Sequence, residues 1–175
     1  MQAHYPNAEL TACDLNKDGV DFCVSTFGAK GVYSDIDVSK IMIESMFDLI
    51  WCGSLLTHLP SCKSKKFLEF FIDHLDNDGI LLITLQGRWQ ISLQEKHWKC
   101  IDDERFNKAL SEYDASGYGF VDYEGFEGVG YGISLVKPSW VLSNIEERKD
   151  ISVIYFAERL WNGHQDVLAV TKQLI

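Results

Sequence analysis

Short apolar runs alternate along this chain with segments in which apolar residues recur at helical spacing. The runs lie at residues 10–14, Phe47–Cys52 and 80–85, and each has the length of a buried strand. Helical spacing is clearest after Pro60, where one face carries Phe67, Leu68, Phe71, Ile72 and Leu75. Strands that alternate with helices predict an α/β domain with a largely parallel sheet.

Other elements follow from helix caps and β-prone residues. Asn16 is placed to cap a helix whose apolar face is Val20, Cys23, Val24 and Phe27. The remaining expected elements are a strand at 31–35, a turn at 76–79, a helix capped by Asp102 or Asp103, a helix from Pro138, and strands at 151–156 and 166–171. The last two strands are joined by a short turn-prone segment, which favours an antiparallel final pair.

Residues 86–135 differ in composition from the segments before them, and from residue 116 to 132 glycines and aromatic residues are mixed with acids. Such a mixture predicts a mobile lid or substrate wall, and an ordered surface loop is the alternative. The G-x-G-x-G run at 128–132 follows a polar segment and leads into an extended one. A cofactor loop should instead follow a buried strand and open a helix, so this run is not predicted to cradle a cofactor.

The candidate binding and catalytic residues lie at or just after the ends of the predicted strands. Asp14 ends the first strand, and a carboxylate there can accept hydrogen bonds from both ribose hydroxyls of a nucleoside. Ser54 and His58 follow Phe47–Cys52, and an imidazole can remove a proton from a hydroxyl near neutral pH. His58 can equally serve only to close a hydrogen bond within the fold. Arg88, at another strand end, can meet an acidic substrate group.

Composition narrows the class of protein. The 175 residues, 46% hydrophobic, suffice for one domain with a core, and the longest apolar runs are too short to cross a bilayer. A net charge of −10 argues against a nucleic acid or an anionic membrane as partner. Five cysteines without C-x-x-C spacing predict reduced thiols in the cytoplasm, two of them, Cys13 and Cys52, buried in strands, and no metal site. His97 and His164 are weaker candidates of the same kind as His58.

The chain resembles the class I S-adenosylmethionine-dependent methyltransferases, especially small bacterial members of the "type 12" kind. The resemblance rests on the segments TACDLNKDGVDF, FDLIWCGSLLTHL, NDGILLIT and HQDVLAVTK, in that order over nearly the whole chain. It implies one Rossmann-like three-layer domain over residues 1–175 with an antiparallel last strand. It also implies S-adenosylmethionine as cofactor and a small-molecule acceptor. By the same resemblance the cofactor contacts are Asp14, Leu15, Asp35, Ile36 and Ser54, the catalytic residue is His58, and the acceptor contacts are Arg88 and Tyr131.

The resemblance also exposes a departure, because the family's first strand, glycine-rich loop and first helix have no counterpart before residue 10. We therefore expect weak cofactor binding or none, and an inactive or incomplete fragment of a methyltransferase. The alternative is a non-catalytic interaction or dimerisation module, and a nicotinamide-dependent enzyme ranks last. In either case the gap should be closed by pairing of the strands at 10–14 and Phe47–Cys52 or by a partner chain, and we expect a homodimer.

Overall fold

The computed structural model of the protein describes residues 4–96 and 101–173, without the side chains of residues 95 and 96. The chain divides into two compact units, Met1–Ser45 and Met46–Ile175. The organisation as one domain over residues 1–175 stays a prediction. Within the described ranges, no helix combines the length and the apolar character that crossing a lipid bilayer requires.

The first unit is built on a strand–helix–strand segment. Strand β1 (Thr11–Asp14) and strand β2 (Lys30–Tyr33) pair in parallel, and helix α1 (Lys17–Phe27) connects them. The predicted cap is confirmed, because the Asn16 side chain accepts a hydrogen bond from the Gly19 N–H at 3.1 Å. The Asn16 carboxamide thus satisfies one of the free N–H groups at the start of α1.

Much of the apolar surface of this unit is open to solvent. Phe22, Val24 and Phe27 on α1 are at least 40% exposed, and Cys13 in β1 is also exposed. The prediction of a buried Cys13 is therefore wrong. Two strands and one helix cannot cover both faces of a sheet, so side chains on β1 remain accessible although their sequence has the apolar character of a core strand.

The second unit contains a four-stranded mixed sheet. Its strands are β3 (Phe47–Cys52), β4 (Leu75–Leu85), β7 (Ile151–Trp161) and β8 (Gln165–Lys172), in the order β3-β4-β8-β7. Strands β3 and β4 are parallel, whereas β8 runs antiparallel to both of its neighbours. The predicted antiparallel last strand is confirmed.

Two helices pack against this sheet through apolar side chains. Helix α2 (Ser61–Asp73) and helix α5 (Pro138–Glu146) agree with the helices predicted from Pro60 and Pro138. The core residues that they share with the sheet are all less than 4% exposed: Leu68, Ile72, Leu81, Ile83, Val141, Ile145, Leu168 and Val170. Burial of such side chains is the main source of stability in this unit.

A second apolar cluster lies in the region predicted to be a lid. It contains helix α4 (Asp103–Ser116), strand β5 (Tyr118–Asp122) and strand β6 (Gly132–Val136), which pairs antiparallel with β5. Helix α3 (Arg88–Lys96), which the apolar pattern did not predict, precedes them. Residues 118–122, for which the sequence pattern predicted no regular element, form an ordered strand. Whether the region moves as a lid stays a prediction.

Several strands differ in extent or pairing from the prediction. The expected turn at 76–79 is a register shift inside β4, where Asp78 has φ 61°, and β7 continues five residues beyond the predicted end at 156. Strand β1 belongs to a two-stranded sheet and β3 to the four-stranded one. Of the two ways in which the gap was expected to be closed, direct pairing of these strands is absent from the strand pairs of the described residues, and closure by a partner chain stays a prediction.

Candidate functional site

Two carboxylates, those of Asp14 and Asp35, lie at the same edge of the β1–β2 sheet. Asp14 ends β1 and is the register partner of Tyr33, which ends β2, and Asp35 follows two residues later. Because the two strands are parallel, their carboxyl ends lie at one edge, where ligands of α/β sheets bind. The residue after each acid has an apolar side chain that is exposed to solvent: Leu15 is 56% and Ile36 is 58% exposed.

Each of these carboxylates is oriented by a short hydrogen bond to its own loop. Asp14 Oδ1 accepts the N–H of Asn16 at 2.8 Å, and Asp35 Oδ1 accepts the N–H of Asp37 at 2.8 Å. Such local bonds fix the direction of the side chain. One oxygen of each carboxylate is used in this way, and the other faces no hydrogen-bond donor among the described residues. These two oxygens are available to hydroxyl or amine donors of a ligand.

Ser54, predicted to contact cofactor, is held by hydrogen bonds within its own unit. Its N–H donates to Thr84 Oγ1 at 2.8 Å, and its carbonyl accepts the Thr57 hydroxyl at 2.9 Å. Its hydroxyl accepts a hydrogen bond from Gln165 Nε2 at 2.7 Å. These bonds stabilise the left-handed backbone of Ser54, with φ 58°, which is unfavourable for a residue with a side chain.

The β7–β8 hairpin covers the carboxyl end of β3. Gln165, buried at the start of β8, reaches Ser54, and the Trp161 ring lies 4.6 Å from the ring of Trp51 in β3. A hydrogen bond connects the two strands of the hairpin, because the Asp166 carboxylate accepts the N–H of Arg159 at 3.0 Å. Burial raises the pKa of the Asp166 carboxyl. Gln165 and Trp161 could not be identified from the sequence, because their partners Ser54 and Trp51 lie more than a hundred positions away along the chain.

His58 lies in the second unit at the end of a short 3-10 turn, Leu56–His58. Its Nδ1 is 2.9 Å from the carbonyl oxygen of Gly132 and 3.1 Å from the hydroxyl of Tyr123. A carbonyl oxygen only accepts, so Nδ1 carries the proton and Nε2 has the lone pair. The hydrogen bond within the fold that the sequence suggested is therefore present, and Nε2 has no hydrogen-bond partner in the described part of the chain.

Arg88, a candidate for an acidic substrate group, forms a two-pronged ion pair within the chain. Its Nε and Nη2 donate to the two carboxylate oxygens of Glu158 at 2.6 and 2.7 Å. The hydrogen bond with Glu158 raises the pKa of Arg88, and the same hydrogen bond lowers the pKa of Glu158. A substrate acid would have to compete with Glu158. Of the weaker candidates, the half-buried His164 has its Nδ1 3.3 Å from the Asn162 carbonyl oxygen, and His97 lies outside the described residues.

The glycine-rich loop before β6 is organised by a carboxylate of the chain itself. Asp122, at the end of β5, accepts the N–H groups of Gly128 and Gly130 at 2.9 Å and of Tyr131 at 3.1 Å. The Lys63 ammonium donates to the Val129 carbonyl at 2.8 Å. Backbone N–H groups that converge in this way form an anion-binding concavity. Asp122 fills it, so the loop has no room for a phosphate or carboxylate of a ligand.

Three glutamines in the second unit are almost completely buried. Gln86, Gln90 and Gln94 are 6%, 0% and 2% exposed, and Gln94 Nε2 donates to the Ile101 carbonyl at 2.7 Å. Gln90 and Gln94 lie four residues apart in α3 and therefore on one face of that helix, whereas Gln86 precedes it. Among residues 4–94 and 101–173, no group of three or more metal-binding side chains occurs.

Comparisons with known proteins agree on the fold. The chain superposes with a TM-score of 0.63 on an S-adenosylmethionine-dependent methyltransferase from Clostridium acetobutylicum, with 14% identity over 95% of this chain and 76% of that one. The plantazolicin methyltransferase BpumL, solved with SAH and a pentazolic desmethylPZN analogue, gives a TM-score of 0.60, 12% identity, and coverage of 99% of this chain and 70% of that one. A pericyclic reaction enzyme gives 0.58, 9% identity, and 98% and 39% coverage.

These likenesses establish a mixed α/β fold of the Rossmann-like methyltransferase type. No protein-family model matches the chain, and no curated protein matches it. A likeness of fold does not fix the chemistry, because one fold can support unrelated functions. The function must therefore be argued from the residues of the site.

Proposed function

We propose that this chain derives from a methyltransferase that transfers the methyl group of S-adenosylmethionine to a small-molecule acceptor. The observation that carries the proposal is the placement of Asp14 and Asp35 at one edge of the β1–β2 sheet. Asp14 would accept hydrogen bonds from the ribose hydroxyls and Asp35 from the adenine amine, with Leu15 and Ile36 in contact with apolar parts of the nucleoside. The SAH bound to BpumL supports this choice of cofactor.

The same proposal includes weak binding of the cofactor. A glycine-rich loop between a buried strand and a helix would hold the methionine part of the cofactor, and the proposal is that this chain lacks such a loop. The G-x-G-x-G run at 128–132 is not a substitute, because Asp122 already occupies its N–H donors. Residues 1–175 alone would therefore act as an inactive or incomplete methyltransferase.

Methyl transfer from a sulfonium depends mainly on alignment, which explains how a site can work with few catalytic groups. Bound S-adenosylmethionine would supply the electrophilic methyl group. The residues of the chain would orient the nucleoside through Asp14 and Asp35. His58 Nε2 would receive the proton that a hydroxyl or amine acceptor loses.

Calorimetric titration with SAH tests the cofactor assignment. We expect a dissociation constant well above the low micromolar range and a further loss of affinity in Asp14→Ala. Removal of hydrogen bonds from a carboxylate to a ligand costs about 1.5–3 kcal/mol, or roughly tenfold to a hundredfold in affinity. Asp18→Ala is the matched control, since Asp18 is an exposed acid in the first turn of α1. Low micromolar binding would refute the weak site, and equal affinities of Asp14→Ala and Asp18→Ala would refute the ribose contact.

The second candidate is a non-catalytic dimerisation module, which the exposed apolar side chains of the first unit favour. Leu15, Phe22, Phe27, Tyr33 and Ile36 are each 42–58% exposed. Apolar surface of this extent is usually covered by a partner, and a two-fold homodimer is the commonest closed form. The proposed interface uses residues 10–13 of the sheet.

Light scattering at micromolar concentration tests the dimer. A 40 kDa particle is expected, twice the 20.0 kDa chain mass, and Leu10→Lys should reduce it to a monomer. Val153→Lys, on the exposed part of β7, is the control substitution. A wild-type particle of 20.0 kDa would refute dimerisation, whereas a Leu10→Lys dimer would refute only the proposed interface.

The proposal also includes a cytoplasmic location. It is supported by the absence of disulfides at Cys13, Cys23, Cys52 and Cys62 within the part of the chain that the structure describes, whereas Cys100 lies outside it. Fractionation of cells with an antibody against the protein should find it with other cytoplasmic proteins, and recovery from an exported fraction would contradict the location.

A further inference from the structure

His58 is surrounded by a set of aromatic side chains from the β5–β6 connection. The ring of Tyr131 lies 5.5 Å and that of Tyr123 5.9 Å from the imidazole ring, and Phe126 lies 5.4 Å from Tyr131. We call Tyr123, Phe126 and Tyr131 the aromatic platform. Tilted rings at these distances have favourable edge and face contacts, and the platform offers the same contacts to a further ring.

The platform is open to solvent and also fixed in position. Tyr131 is 43% and Phe126 46% exposed. Asp122 holds the loop backbone through Gly128, Gly130 and Tyr131, and the Tyr123 N–H donates to the Tyr131 carbonyl at 3.1 Å. A preorganised surface loses little conformational entropy when a ligand binds.

The imidazole is held so that one nitrogen can accept a proton. The Gly132 carbonyl orients His58 through Nδ1, which leaves the lone pair at Nε2. The orientation comes from a backbone atom of β6, and the platform comes from the loop that precedes this strand. The base and the platform therefore form one preassembled group within the second unit.

Cations close to the platform are already bound by groups of the chain. Lys63 Nζ donates to the carbonyls of Val129 and Gly130, and Arg105 pairs with Glu127 at 3.1 Å. An anionic acceptor would have to displace these partners. The electrostatics therefore favour a ligand without formal charge, and the rings favour a planar one.

We infer that His58 and the aromatic platform form an acceptor subsite for neutral phenol-type hydroxyls. This inference rests on the proposed methyl-transfer function. The phenolic ring would pack on Tyr131 and Phe126, with its hydroxyl at His58 Nε2. In the transfer, the hydroxyl proton passes to Nε2 while the oxygen forms a bond to the methyl carbon of a sulfonium donor. The carbon–sulfur bond breaks, and its electron pair stays on sulfur as a thioether.

Nuclear magnetic resonance of the full chain tests the subsite without any cofactor. Phenol is titrated against the protein, with cyclohexanol as a ligand of similar size that has the hydroxyl but lacks the aromatic ring. We expect phenol to shift the His58 imidazole resonances in a saturable way and to bind at least threefold more tightly than cyclohexanol. Ring contacts worth about 0.5–1.5 kcal/mol give a preference of roughly threefold to tenfold.

Variants assign the effect to the platform. Tyr131→Ala should weaken phenol binding about threefold to tenfold, by the same ring-contact energy. Tyr131→Phe should retain the affinity, because it keeps the ring. Tyr155→Ala is the matched control, since Tyr155 on β7 is 49% exposed and outside the platform. Equal binding of phenol and cyclohexanol, or unchanged binding in Tyr131→Ala, would overturn the inference.

The two proposals fail separately. Phenol binding at His58 together with no effect of Asp14→Ala on SAH binding would refute the nucleoside site and leave the subsite intact. No saturable binding of phenol at His58, together with weaker SAH binding in Asp14→Ala, would refute the subsite alone. A spectrum of His58 in the free protein that places the proton on Nε2 would also overturn the inference, because that nitrogen could not accept one.

Discussion

The Asp122 carboxylate accepts the backbone N–H of Gly130 at 2.9 Å, and through this bond β5 fixes the conformation of the loop that follows it. The same carboxylate also accepts the N–H groups of Gly128 and Tyr131. A glycine-rich segment with the composition of a phosphate-binding loop is thereby closed by an anion from its own chain.

Asp122→Ala should destabilise the protein. The substitution leaves three N–H donors of the loop without their carboxylate, and hydrogen bonds to charged groups contribute about 1.5–3 kcal/mol each when shielded from water. Because Gly128 and Tyr131 are accessible to water, we expect a total loss of about 1–3 kcal/mol in the free energy of unfolding. Urea unfolding measures the loss. Asp122→Asn keeps one acceptor oxygen and should lose less than Asp122→Ala; an equal loss would contradict this account.

Tyr118→Phe should be costly although it removes only one oxygen. The Tyr118 hydroxyl is buried, donates to the Leu59 carbonyl at 2.7 Å, and lies 2.7 Å from the Ser64 hydroxyl. Burial raises the pKa of Tyr118 to about 12. Without the hydroxyl, the Leu59 carbonyl loses this donor in a dry environment, at a cost of about 1–3 kcal/mol.

Thermal unfolding compared with Tyr155→Phe checks this expectation, because Tyr155 is 49% exposed. The Tyr155 variant should unfold within about 0.5 kcal/mol of the wild type, as surface substitutions usually do. Equal stability of the Tyr118 and Tyr155 variants would show that the buried hydroxyl contributes nothing.

Gly119→Ala should prevent normal packing of β5 against α4. A Cβ at Gly119 would overlap the backbone carbonyl of Ala109, which helix α4 holds in place. Overpacking against a rigid neighbour costs about 1–3 kcal/mol or more. Gly19→Ala is the matched control, because its Cβ would meet Asn16 at an ordinary 3.5 Å. We expect Gly19→Ala to be neutral or to stabilise α1 by up to about 1 kcal/mol. Circular dichroism during heating distinguishes the two, and comparable melting temperatures would refute the close approach.

Arg148 should contribute a pH-dependent part of the stability. Its guanidinium donates to Asp150 at 2.8 and 2.9 Å and to Asp73 at 2.8 Å. The hydrogen bonds from Arg148 lower the pKa of the Asp150 carboxyl. A carboxyl whose pKa is lower in the folded state stabilises the fold above its unfolded pKa, about 3.9 for aspartate, and this contribution disappears as the pH falls through the folded pKa.

Arg148→Met should therefore lose about 0.5–1 kcal/mol at pH 7, the size expected of a partly exposed ion pair, and less as the pH falls below about 4. Urea unfolding at several pH values measures the difference from the wild type. Lys149→Met is the control, because Lys149 forms no ion pair with the described residues. A difference that stays constant from neutral to acid pH would exclude Asp150 as its source.

Elements with strong apolar periodicity or an explicit cap could be predicted from the sequence. Asn16 begins α1 and Asp102 begins α4 as expected, because each side chain accepts an N–H of the first turn. Helix α3 could not be predicted in this way, since its buried face contains Gln90 and Gln94. Strand β5 was not predicted, because Gly119 and Asp122 interrupt the apolar pattern of this segment, although Tyr118 and Val121 are buried.

The candidate site was predictable only in part. Asp14 and His58 could be chosen because each follows a strand, and the chemistry of strand ends is local in sequence. The contacts of His58 with Gly132 and of Ser54 with Gln165 connect residues 74 and 111 positions apart. Such pairs depend on how β6 and β8 return to the start of the second unit, and a single sequence does not encode them in any local pattern.

The Trp161 indole at the tip of the β7–β8 hairpin and the Trp51 indole in β3 together give the protein an internal optical probe. With ring centres 4.6 Å apart, Trp51 and Trp161 are close enough for their excited states to couple, and this coupling depends on distance and tilt. If the tip lifts from the end of β3, the two chromophores separate and their joint circular dichroism is lost while the helices still absorb as before. Opening of this corner can thus be followed by spectroscopy in the native state, without a label and apart from global unfolding.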